Sequence, residues 1–338
     1  MRRPSSRPAS RPANRRRRAI ALGVVAVTLA ACSSGTSSSS DSSSTTRAHV
    51  TAPSEPSTTV APAEGSREAV ARDAALAGYP LVTTVRTMQL FAGLTGVNTL
   101  LRTAMLAGPS TRLIVAPNHD TVYAIAVLDL RAGPQALTVP SITDRYYTFQ
   151  VIDAWMGTVA NIGTGATKSA AGTWVVVPPG FHGTLPAGVH RVDSPSNQLF
   201  VLGRFRAVDD ADAAAAHADS SRVTLQSLAT YERQPGPTQA APSMAKPVGR
   251  PQTVGANGMG FYDELAAALV ANPPPNADDR RAITAVRALG VVAGGHPSTS
   301  TSSAERAVLL QGLADANDRA ASTALLGNHL VDGWSVNL

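Results

Sequence analysis

The residues of this chain best suited to chemistry lie in Pro117-Asn118-His119-Asp120-Thr121, a polar, turn-prone point between two apolar runs. An imidazole next to a carboxylate can move protons or hold a ligand. The same residues also make an ordinary turn, because Pro117 fixes its own φ and Asn and Asp bond local backbone. In that reading Asp120 accepts backbone N–H groups and, with Thr121, holds the entry to the strand that follows. Downstream, Arg145-Tyr146-Tyr147 and Asp153-Ala154-Trp155-Met156 supply most of the nearby aromatic and polar groups. The catalytic candidates are Asp120, His119, Asp153 and Tyr146. The ligand-binding candidates are Asn118, Thr121, Tyr123, Tyr147 and Trp155. Alternation along a strand places Arg145, Tyr147, Phe149 and Val151 on one face and Tyr146, Thr148, Gln150 and Ile152 on the other. Tyr146 with Gln150 then forms one polar wall of a cleft, or that face is simply solvated. Asp120, Asp129 and Asp153 can act as paired carboxylates for glycoside cleavage only if the fold brings them together.

Other chemistries lose support at the level of motif. Gly163-Thr164-Gly165-Ala166-Thr167-Lys168-Ser169 has the composition of a phosphate loop, but Thr167 stands where glycine must precede the lysine and no helical pattern follows. It reads as a strand connection. The seven histidines form no HxH or HExxH pair, so neither a metal site nor a cofactor is expected. There is no Gly-x-Ser-x-Gly elbow.

Charge and targeting have one explanation. The chain of 338 residues carries a net charge of +6, and its pI is near 10.0. Eight arginines and no acid fall within residues 1–31, and outside that segment 21 basic residues face 23 acidic ones. The basic balance therefore belongs to a targeting segment, and no nucleic-acid partner is expected. Residues 19–31 form an apolar run of 13, too short to cross a hydrocarbon core of about 30 Å. The run ends Leu29-Ala30-Ala31-Cys32, which looks like a bacterial lipobox. Cys32 is the sole cysteine, which excludes an intramolecular disulfide and a thiolate site in the folded part. The expectation is a lipidated Cys32 at the mature N-terminus, an exported protein, and anchorage to the outer face of the bacterial cytoplasmic membrane. The membrane is thus one expected partner. Residues 33–65 are Ser, Thr, Pro and Ala with hardly a large apolar residue, the composition of a disordered tether.

The elements that must position the candidates follow from periodicity. Ser66 as a cap with Val70, Ala74 and Ala77 predicts a helix over 66–77, stopped by Gly78-Tyr79-Pro80. Leu81, Val85, Met88 and Ala92 predict a second helix over 81–94, followed by a loop with room for a helical turn over 98–106. Strands are expected at 111–116, 121–130, 135–139, 145–152, 156–162, 173–178, 188–193 and 198–207, with turn residues every 8–12 positions. Helix is expected over 208–231, 261–271, 277–289 and 301–326, with a Pro/Gly-rich loop over 234–260. The implied segments are a signal peptide at 1–31, a lipidated tether at 32–65, a helical segment at 66–110, a β-domain at 111–207 and a helical segment at 208–338.

Asn118-His119-Asp120-Thr121-Val122-Tyr123 resembles the Pro-Asn-x-Asp-Thr-x-Tyr signature of the domain of unknown function 1254 (DUF1254) family. The likeness continues through Leu128-Asp129-Leu130, Gly133-Pro134, Val139-Pro140, Arg145-Tyr146-Tyr147 and Val151-Ile152-Asp153-Ala154. The resemblance implies an α+β fold: an immunoglobulin-like antiparallel β-sandwich with N-terminal helices and a C-terminal helical segment. It implies no established activity. Family members usually carry Asn or Gln where His119 stands. In longer relatives a Gly-Trp motif like Gly333-Trp334 leads into a second β-domain, of unknown function 1214. The implied partner is a separate protein of that kind, or a second copy of this chain meeting it near Trp334. Two functions remain open: ligand or partner binding without chemistry in the cell envelope, or a hydrolase or lyase acting through Asp120, His119, Asp153 and a tyrosine.

Overall fold

The computed structural model describes residues 64–109, 111, 117–233, 244, 246, 257–326, 328–331 and 334–337, with side-chain surroundings as far as Ser322. The signal segment, Cys32, nearly all of the tether, all but the first residue of the strand expected over 111–116, most of the 234–260 loop and the side chain of Trp334 lie outside the described residues.

The chain builds three layers. In the middle is a five-stranded antiparallel sheet in the order β1 (Leu101–Arg102), β2 (Thr121–Asp129), β8 (Gln198–Arg206), β4 (Tyr147–Asp153), β5 (Thr158–Gly163). On one side lies a four-stranded sheet, β7 (His190–Asp193), β6 (Gly172–Val177), β3 (Gln135–Val139), β9 (Thr224–Ser227). Val122, Ala124, Leu128, Phe149, Val151 and Phe205 meet Leu137, Val139, Trp174 and Val176 between the sheets. On the other side Tyr123, Ile125, Val127 and Phe200 pack against helices through Phe91, Phe261, Leu265 and Leu313. Every residue of β2 is therefore buried, which is why it is apolar on both faces.

The helical layer comprises α1 (Arg67–Thr95), α4 (Met259–Ala271), α5 (Ala277–Ala285) and α7 (Ser303–Leu326). Arg86 of α1, 1% exposed, makes a bidentate pair with Glu264 of α4 at 2.5 and 2.7 Å. A short α2 (Asp210–Ser221), α3 (Leu228–Tyr231) and α6 (Pro297–Ser300) complete the helices, and a hairpin of β10 (Asn328–Val331) and β11 (Trp334–Asn337) follows α7.

Four expectations are corrected. The two N-terminal helices are one, and Pro80 sits inside it. A proline in a helix costs about 3 kcal/mol, but Leu81, Val82, Met88 and Phe91 beyond it are buried, each worth about 1.5–3 kcal/mol. Gly78 is no stop either: a Cβ there would lie 2.8 Å from Leu265 Cδ1, so glycine lets α4 approach. The turn at 98–106 is not helical, because Leu101 and Arg102 pair with Ile125 and Ala124. The expected helix 208–231 breaks at Ser221, where the Ser220 and Ser221 hydroxyls donate back to the His217 carbonyl at 2.7 and 2.8 Å. Such bonds compete with helix, and Thr224–Ser227 then pairs with β3, carrying the β-domain past residue 207. Finally, the second sheet is mixed, since β7 runs parallel to β6. The connection 178–189 supplies the crossover that parallel pairing requires.

Candidate functional site

The register divides the candidates between the two ends of the central sheet. At one end Thr121 pairs with Arg206, and Tyr147 with Phe205. At the other, Asp129 pairs with Gln198, and Asp153 with Leu199. A strand of the length of β4 spans about 20 Å. Asp153 and Trp155 are thus not brought to the corner that holds His119 and Asp120.

The far end is a closed network of hydrogen bonds. Asp153 Oδ1 accepts the N–H groups of Trp155 and Gly157, both at 2.8 Å. Burial raises the Asp153 pKa, opposed by those two bonds and assisted by the charge of Asp279. The Trp155 indole N–H donates to the Asn272 carbonyl at 3.3 Å. The Asn272 side chain accepts from Gln198 N at 3.1 Å and donates to Gln198 Oε1 at 2.8 Å. Asp129 is buried, pairs with Arg131, and meets Asn98 through its backbone. Asp129 shares the helix-facing side with Val127, whereas Asp153 follows Val151 onto the inter-sheet side. With Asp120 at the opposite end, the three carboxylates form no pair. This end joins the C-terminus of α4 to the sheet.

The near end is open. Asn118, His119 and Asp120 are exposed. The Asn118 N–H donates to Tyr123 Oη at 2.6 Å, and the Ala207 N–H donates to the Asp120 carbonyl at 2.9 Å. The backbone thus holds the corner. The Asp120 carboxylate accepts nothing among the described residues, which corrects the expectation that it caps the turn. Below the corner, on the helix-facing side of the sheet, Tyr123, Arg204 and Thr148 form one cross-strand row. Thr121 lies diagonal to Arg204, and Tyr146 and Gln150 flank Thr148. Thr121 is 8% exposed, and its Oγ1 has no hydrogen-bond partner among the described residues. Arg204 is half-buried, and among the described residues its guanidinium has neither an ion-pair nor a hydrogen-bond partner. Tyr146 is 53% exposed, and Gln150 donates to Thr158 Oγ1 at 2.9 Å.

Tyr147 belongs to the inter-sheet core. It stacks on Phe205 at 5.7 Å, its hydroxyl is buried without a partner among the described residues, and burial raises its pKa. Arg145 is committed to Asp219 and Asp212, and its hydrogen bond holds the Asp212 carboxylate below its ordinary value. Among the described residues no three His, Cys, Asp or Glu side chains are placed to hold a metal ion. No helix among the described residues is long and apolar enough to cross a membrane. A shallow depression over Ala277, Arg280, Arg281, Thr284 and Ala285 lies along one helix and gathers no converging groups.

Sequence reasoning missed Arg204. The signal was present in Leu202-Gly203-Arg204-Phe205-Arg206, which puts a charge on the alternate face of a strand otherwise apolar. Only the strand order shows that this strand is central.

The comparisons bear on the fold. The VPA0106 protein of Vibrio parahaemolyticus, solved by crystallography, is similar with a TM-score of 0.62 and 19% identity, over 78% of this chain and 61% of that one. The chain thus spans about three fifths of that protein's length. A second solved protein, from Burkholderia cenocepacia, aligns over 40% of this chain and 36% of its own at 14% identity, with a TM-score of 0.26, and bears no weight. No curated protein matches the chain. Residues 97–227, which hold β1 through β9 with the corner and the row beneath it, match the model of the family described as "Protein of unknown function (DUF1254)".

Proposed function

We propose that this is a lipid-anchored protein of the cell envelope, held to the membrane through Cys32, whose sheet-and-helix unit binds a ligand at the open end of the central sheet without chemical conversion. One observation carries the binding reading. Two polar groups without partners among the described residues, the Thr121 hydroxyl and the Arg204 guanidinium, share one face of the sheet. The raised acid, Asp153, lies at the other end and spends its oxygen on turn N–H groups. A buried polar group without a partner is disfavoured, so a ligand that supplies the missing bonds is stabilised there. Anchorage is supported by the run Leu29-Ala30-Ala31-Cys32 and the Ser-rich stretch after it.

The test is to incubate the purified protein with a small-metabolite extract and follow both fractions by mass spectrometry. The expected result is a compound retained by the protein and unchanged in amount. Steady consumption of a compound, abolished in His119→Ala or Asp120→Ala, would overturn the reading in favour of a hydrolase or lyase at the corner. Fractionation of cells carrying Cys32→Ala tests the anchor: the variant leaves the membrane fraction, and one that stays there as fully as the parent refutes it.

A further inference from the structure

We infer that Arg204 is an anion-recognition residue and that the ligand it takes is a small organic monocarboxylate. The inference rests on the binding reading above and names the chemical class of the ligand.

Arg204 lies on a central strand, between Tyr123 of β2 and Thr148 of β4. The positions of β2, β8 and β4 that share its face near this end are Thr121, Tyr123, Leu202, Arg206, Thr148 and Gln150, and none is an acid. Asp120 at the corner is exposed and makes no pair with it. A half-buried guanidinium retains part of its desolvation cost until an anion reaches it. Its planar fork matches the two oxygens of a carboxylate.

The neighbouring groups are donors. Tyr123 Oη already accepts the Asn118 N–H at 2.6 Å, so its own proton is free to donate. Thr148 and Thr121 carry hydroxyls with no partner among the described residues. One guanidinium and three hydroxyls suit a single negative charge. The next arginine along β8, Arg206, is exposed and acts on Asp212, whose carboxylate its charge helps to hold down. Among the described residues a phosphate dianion would therefore meet one half-buried cation here, Arg204, with Arg206 out in solvent. The half-exposed ring of Tyr146 at the rim can cover the apolar body of an organic acid.

Benzoate is the probe, with benzamide as its neutral isostere and inorganic phosphate as the competing anion. Each is titrated into the full chain by calorimetry and by amide chemical shifts. Benzoate binds, and benzamide binds at least about tenfold more weakly, as expected when a charged hydrogen bond is lost. Arg204→Met, which keeps the aliphatic stem, loses benzoate affinity by about tenfold or more. Arg204→Lys, which keeps the charge without the fork, falls between the two and serves if the methionine variant does not fold. Undiminished benzoate binding by Arg204→Met, or by Arg204→Lys where it replaces it, overturns the inference. So does equal binding of benzamide, tighter binding of phosphate, or no binding of benzoate at tens of millimolar. Conversion of a bound compound would instead sink the reading without chemistry and leave the role of Arg204 standing.

Discussion

The corner at 117–121 and the turn at 153–157 have similar ingredients: an aspartate, a nearby aromatic residue and a strand of the central sheet. Their aspartates do opposite things. Asp153 is buried and holds two N–H groups with one oxygen, and Gly157 fits because a Cβ there would come within 2.8 Å of Asp153 Oδ2. Asp120 is exposed and holds nothing among the described residues, while its own carbonyl and the Tyr123 hydroxyl bind the corner together. The difference lies in what covers each end of the sheet. Helix α4 terminates over the Asp153 end and delivers Asn272, which bonds the Trp155 indole and both the backbone and the side chain of Gln198. At the Asp120 end Arg204 and Thr121 have none among the described residues. The same residue type is architecture where a second layer closes over it, and it stays exposed at the other end of the same sheet.

The sharpest way to break this contrast is at the covered end. Asn272→Ala removes the acceptor of Gln198 N–H and the donor to Gln198 Oε1, both buried. With each orphaned group costing about 1–3 kcal/mol, a loss on the order of 3 kcal/mol is expected in urea unfolding. A loss below about 1 kcal/mol would mean that this end is not closed.

Asp153 comes next, and two substitutions separate its acceptor from its charge. Asp153→Ala leaves the Trp155 and Gly157 N–H groups unpaired and is expected to lose about 1–3 kcal/mol. Asp153→Asn keeps an acceptor oxygen. Burial raises the Asp153 pKa in the folded protein above its ordinary 3.8, so folding favours the protonated form. That stabilisation is complete below the ordinary value and is lost as pH rises through the raised one. The asparagine variant should therefore equal or exceed the parent at neutral pH, with the gap closing on acidification below pH 3.8. Urea midpoints at the two pH values decide it, and a gap that widens in acid contradicts the assignment.

The smallest effects belong to the open end. Asp120→Ala and His119→Ala should each change stability by less than about 0.5 kcal/mol, as exposed side chains without partners do. A melting temperature that falls for Asp120→Ala as far as for Asp153→Ala would erase the contrast between the two corners.

By itself the sequence determined most of the elements and the family likeness. Strand alternation is a local property, so the two faces of β4, with Tyr147, Phe149 and Val151 inward, were readable residue by residue. The pattern Pro-Asn-His-Asp-Thr-Val-Tyr located the corner. What the sequence could not show depends on distant partners. Pro80 reads as a helix stop until the layer that buries Leu81, Val82 and Met88 is known, because that burial outweighs the local penalty. Thr224–Ser227 becomes strand because β3 offers it an edge. Asp120 and Asp153 are equivalent as letters, and only the register that sets them at opposite ends of one sheet separates them. Arg204 gained its meaning in the same way, when the strand order 1-2-8-4-5 placed it between Tyr123 and Thr148 and left it without an anion among the described residues.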